Sequence, residues 1–207
     1  APTPYDYSVT YAPPLPLPAT TKTFSFSPTE IRDLTVSAVL VTVVGLSMVG
    51  FRLSRPEILI SLTVVFVSIF LLHEIAHKLV AQRYGLWAEF RLTLFGALLT
   101  LLSVVLPIKL VSPGAVMVAG PVSRETMGKA AIAGPLTNLV LSVISFVLAS
   151  LTMGVLSGIA MLSAAFNAWI ALFNLLPIGI QDGLKVFYWN KFVWIAVFIP
   201  SIALTVV

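Results

Sequence analysis

The chain contains no cysteine. Disulfides and every thiolate metal site are therefore excluded, and a metal could be held only by histidine and carboxylate. Charge is almost as scarce. Only 10% of the 207 residues are charged, against 58% hydrophobic, and the mean hydropathy is +1.04. A soluble domain of this length could not cover its surface with so few charges, which leaves a polytopic membrane protein in contact with a lipid bilayer. The net charge of +4 is small and dispersed, and it offers no basic face for nucleic acid. Repeated halves carrying several midplane ligands, the usual mark of a transporter, are also missing.

Histidine is the next scarcity, and here the few residues present are informative. Both histidines of the chain lie in one stretch, Phe70-Leu71-Leu72-His73-Glu74-Ile75-Ala76-His77-Lys78. On an α-helix, residues four apart share a face, so both imidazoles can meet at one point. Glu74 projects about 100° round from His73, within reach of a water held there. Two neutral imidazoles on zinc, with a carboxylate to take a proton from water, is the chemistry that an HExxH helix supports. The residues from Ile58 to Leu72 carry no charge, so the motif lies inside an apolar span. Ionisable residues in such a place are costly and mark function. A pair of buried histidines satisfied only by hydrogen bonds is the plain alternative.

Residues 1–28 hold a cluster of prolines that favours an extended tail, within which Thr23–Ser27 alternates as a strand would. Residues 29–207 read as one transmembrane domain with its core at 57–190. A first span runs from about Leu34 to Phe51, and a second carries the histidines down to Tyr84, with Gly85 ending it. From Leu86 to Gly128, alternation at Glu89–Leu94 and prolines at 107, 113 and 121 predict strands or re-entrant structure beside one membrane face, with room for a short helix. A third span opens at Gly134-Pro135 and runs from Ala133 to Met153, and a fourth from Ser157 to Leu176. A last apolar run goes from Phe192 to Val207. The fold expected is an all-α polytopic membrane protein of five or six transmembrane helices, with a small strand or re-entrant region after the histidine helix. If that helix ends at the cytoplasm, only Arg52 and Arg55 of the basic residues fall outside, as the positive-inside rule prefers.

A hydrolytic zinc takes three protein ligands and leaves one position open. With histidine exhausted, the third must be a carboxylate, and the chain has eight. Asp182, after the helix break at Pro177 and before Gly183, faces the same membrane side as the histidine helix. An N-cap of a final helix is the plainer, less favoured alternative.

Three motifs taken in order resemble one family. His73-Glu74-Ile75-Ala76-His77 lies in a span, Gly134-Pro135-Leu136-Thr137-Asn138 opens a later one, and Asn174-Leu175-Leu176-Pro177 precedes Asp182-Gly183. Over about residues 57–190 this pattern resembles the site-2 proteases, which are intramembrane zinc metalloproteases. The resemblance implies one Zn2+ bound by His73, His77 and Asp182, with Glu74 as general base and Asn174 holding substrate. Asn138 would either contact substrate or, the reading favoured here, hydrogen-bond between helices. The implied partner is a transmembrane protein substrate, cleaved within or near its spanning helix. A catalytically inactive scaffold that binds transmembrane helices is the alternative of a different class.

Overall fold

A computed structural model describes residues 24–50 and 55–206. The proline-rich tail up to residue 23 and the expected outer flank at Arg52 lie outside the described residues. Phe24 to Ser27 form neither helix nor strand despite their alternation.

Helix α1 (Pro28–Met48) starts where the local chemistry asks it to. Ser27 Oγ accepts from Glu30 N at 3.1 Å, and Pro28 takes a first-turn position, where its missing N–H costs nothing. Pro56 likewise opens α2 (Pro56–Arg83), which ends ahead of Gly85 in the left-handed region at φ 77°. Helices α4 (Arg124–Leu151) and α5 (Gly154–Asn174) complete the set of four that, among the described residues, are long and apolar enough to cross a membrane. The fifth expected span is shorter. The last apolar run forms α7 (Lys191–Thr205), and its 15 residues reach only about 22 Å against a hydrocarbon layer of about 30 Å.

The span expected to open at Gly134-Pro135 begins a good deal earlier. Ser123 Oγ accepts from Thr126 N at 3.0 Å, α4 starts at Arg124, and Pro135 sits inside it. A proline there removes one hydrogen bond, the one Ala131 O would have accepted, and the rest of the helix carries through.

Between α2 and α4 the chain turns to the expected strands. β1 (Trp87–Leu92) pairs antiparallel with β2 (Gly114–Ala119), in register from Trp87↔Ala119 to Leu92↔Gly114. Thr93 ends β1 by capping α3 (Leu94–Leu102), its Oγ1 accepting from Gly96 N at 3.1 Å. The other edge of β1 is closed by side chains of α1. Phe90 N donates to Glu30 Oε1 at 3.0 Å and Leu92 N to Asp33 Oδ2 at 3.2 Å. Ladder alternation then turns the N–H and C=O groups of Val116 and Val118 away from β1, leaving the outer edge of β2 unpaired among the described residues.

One apolar core ties these elements together. Val41 and Val44 of α1, Phe66 and Phe70 of α2, Phe90 of β1 and Phe166 of α5 are buried against one another. Phe66 and Phe166 meet edge to face at 4.8 Å. At one end of the bundle, Lys78 is buried with its ammonium on Glu30 and on Ser25 O, 2.6 Å away. Pairing of this kind is what makes a buried charge tolerable. It also joins the start of α1 to the end of α2, at the level of the sheet.

Candidate metal centre

The two imidazoles arrive together because His73 and His77 are one helical turn apart on α2. Their Nε2 atoms are 3.0 Å apart. The third donor comes from far along the chain. Gln181 precedes α6 (Asp182–Trp189), and Asp182, its first residue, turns Oδ2 to within 3.0 Å of His77 Nε2 and 3.8 Å of His73 Nε2. The capping role open to Asp182 is not what its carboxylate does. Gly183 lets this happen: a Cβ there would stand 2.7 Å from Leu175 Cα and closer to Leu175 C and O, so only glycine lets α6 start against the end of α5. The opposite wall of the site is Gly134, where a Cβ would lie 2.6 Å from His73 Nε2 and closer still to His77 Nε2.

The chemistry of the donor set fits a metal. His77 Nδ1 lies 2.8 Å from Ala130 O, a carbonyl that can only accept. The ring therefore carries its proton on Nδ1 and turns the Nε2 lone pair toward Asp182. Asp182 supplies a second acceptor, and His73 Nε2 stands on the same spot. Acceptor atoms this close and this buried need a proton or a cation among them, and three of them on one spot suit a cation. His73, His77 and Asp182 form the one group of three such ligands among the described residues, with donor atoms within 4.8 Å of one another. Zinc at its usual bond lengths of about 2.0–2.2 Å fits a triangle of that size.

Asp182 is held from behind. Its Oδ1 accepts from Lys185 Nζ at 3.0 Å, leaving Oδ2 for the imidazole side. Glu74 lines the same cavity, a space of about 60 Å³ bounded also by Asn174, Gln181, Val116 and Val118, with room for a few waters. Asn174 Nδ2 donates one hydrogen to Ile170 O at 2.9 Å, and its second N–H is not used by that bond.

Asn138 stands on the other ring nitrogen of His73. It is fully buried outside the cavity lining, with Oδ1 on His73 Nδ1 and Nδ2 donating to Asn167 Oδ1 at 2.9 Å. These bonds join α2, α4 and α5 through the Asn138 amide. The sequence reading did not single out Lys185, Gly134 as a wall of the site, or Asn167. Lys185 was legible, since Asp182 and Lys185 are three apart, a pairing distance on a helix. Asn167 carried no local signal.

Fold and centre together define the class: a mostly helical protein with helices long and apolar enough to cross a membrane, and a two-histidine, one-carboxylate group that could hold a metal beside a buried glutamate. No family model matches the chain, and no solved structure does. It is 38% identical over 189 residues to a protein of Methanocaldococcus jannaschii provisionally named a zinc metalloprotease, a match covering 86% of this chain and 94% of that one. The chain belongs to the zinc metalloprotease family of that relative.

Proposed function

We propose that this chain is an intramembrane zinc protease of the site-2 type. It would cleave a peptide bond within or near a transmembrane helix of a protein substrate, using one Zn2+. The observation that carries the reading is the position of the centre. His73, Glu74 and His77 lie far along α2, a helix long and apolar enough to span a bilayer, and Asp182 meets them there.

A bound zinc would polarise the scissile carbonyl and lower the pKa of a water at its open position to about 7. Glu74 is the group to receive the proton of the attacking water and to return it to the leaving nitrogen. Asn174, with an N–H left over, is placed to hold the substrate carbonyl as charge develops on it. A peptide bond inside a helix is screened by its own hydrogen bonds, so the substrate must first unwind. The open edge of β2 supports such an extended segment. Val116 and Val118 line the cavity and can pair with a substrate backbone, as strand addition requires. The edge of β1 cannot, because Glu30 and Asp33 already occupy it.

On the side of the bundle where the centre lies, α1, α2, α4 and α6 carry Arg32, Lys78, Arg124, Lys129 and Lys185. That charge bias supports a cytoplasmic setting for this end of the bundle. The test is Glu74→Gln in purified protein with a helical membrane substrate. Zinc content should stay at one ion per chain while turnover falls at least 100-fold. Turnover retained by this variant would remove Glu74, and with it the hydrolytic reading; a wild type that binds zinc but cleaves nothing would favour the scaffold.

A further inference from the structure

His73 can hold its proton in two ways, and the two have opposite consequences. With the proton on Nδ1, the Nε2 lone pair joins those of His77 and Asp182, and the site is ready for a cation. With the proton on Nε2, His73 would donate across 3.0 Å to His77 Nε2 and seal the pair without any metal. His77 is spared this choice by the carbonyl of Ala130. The neighbour of His73 is instead an amide, Asn138, which could present either its oxygen or its nitrogen to the ring.

We infer that Asn167 is a positioning residue, setting the tautomer of His73 through Asn138. The two amides form a line with one immovable end. Asn167 Nδ2 donates to Ser163 O at 2.9 Å, inside α5. A main-chain carbonyl only accepts, so turning Asn167 over would set two oxygens against each other. The oxygen of Asn167 is thereby pointed at Asn138, which must answer with its nitrogen, and Asn138 Nδ2 donates to Asn167 Oδ1 at 2.9 Å. The remaining end of Asn138 is its oxygen, and that is the atom facing His73 Nδ1. Only an Nδ1–H imidazole satisfies it. Both asparagines are buried, at 0% and 1% exposure, so water cannot take over either bond. A backbone carbonyl on α5 thus reaches the ligand on α2 through two side chains, where His77 needs none. This inference rests on the reading that His73 and His77 share one ion, but its test does not need that ion.

The chain has two histidines, so a 15N-histidine-labelled sample of metal-stripped protein shows only two rings. Their nitrogen shifts report which atom carries the proton. Both rings should be Nδ1–H in the wild type. Asn167→Leu should move His73 toward Nε2–H while His77, held by Ala130 O, keeps its pattern as an internal check on folding. Zinc affinity, measured by competition with a chelating dye, should fall about 10- to 100-fold in the same variant. A His73 that stays fully Nδ1–H in Asn167→Leu overturns the inference, as does an Nε2–H His73 in the wild type. If His77 also loses its pattern in Asn167→Leu, the smaller change Asn167→Ala decides by the same criterion. A wild type that shows both Nδ1–H rings yet binds no zinc would sink the metalloprotease reading and leave the relay standing.

Discussion

At the scale of single residues, the centre depends as much on what is missing as on what is present. Gly134 has no side chain where both imidazole Nε2 atoms stand, and a Cβ would come within 2.6 Å of His73 Nε2. Alanine in mid-helix is favoured over glycine by about 1 kcal/mol, so Gly134→Ala should leave α4 intact. It should nevertheless lower zinc stoichiometry well below one per chain, measured by metal analysis of the purified protein. Asp182→Ala is expected to do the same, because it leaves two ligands where a closed set needs three. Metal retained at full stoichiometry in Asp182→Ala would mean that another group supplies the third donor. Both variants should keep wild-type circular dichroism, which separates loss of the site from loss of the fold.

At the scale of elements, the sheet and the first helix are bound to the histidine helix by buried charge rather than by apolar contact alone. Glu30 accepts from Lys78 Nζ with one oxygen and from Phe90 N with the other, and all three groups are buried. Removing one partner leaves an uncompensated ion in an apolar setting. Glu30→Ala should therefore cost about 3–5 kcal/mol of stability in denaturant unfolding. The double variant Glu30→Leu with Lys78→Met should recover much of that loss, since a charge-free pair of similar volume needs no partner. The same elements show where local pattern was enough and where it was not. Alternation at Glu89–Leu94 located β1 to within two residues. Gly134-Pro135 misplaced the start of α4, because a proline tolerated inside a packed helix looks, in one dimension, like a helix opening.

At the scale of the whole molecule, metal and bundle should be thermodynamically linked. An ion that bridges α2 and α6 binds the folded state, so chelation should lower the melting temperature and added zinc should restore it. The stabilisation at a hundredfold excess over Kd is about 2.7 kcal/mol. A melting temperature indifferent to chelator would mean that no ion joins the two helices. The absence of cysteine makes the sidedness of the bundle directly measurable. Single cysteines at Lys191 and at Val155 lie at opposite ends of the spans, and a membrane-impermeant thiol reagent added to intact cells should label only Val155→Cys. Labelling of Lys191→Cys alone would invert the orientation.

What the sequence determined by itself was whatever depends on neighbours along one helix or strand. His73, Glu74 and His77 are placed by a 3.6-residue turn, the spans by unbroken apolar length, and β1 by a period of two. Each of these geometries is set by a few successive residues and survives any change in how the elements pack. The tertiary structure alone decided what depends on convergence. It brought Asp182 to the histidines, closed the edge of β1 with Glu30 and Asp33, and ran the amide line from Ser163 to His73. Those outcomes rest on how α2, α4, α5 and α6 fit together, and the energies that choose between packings are spread over many contacts between residues distant in sequence, none of which leaves a local pattern.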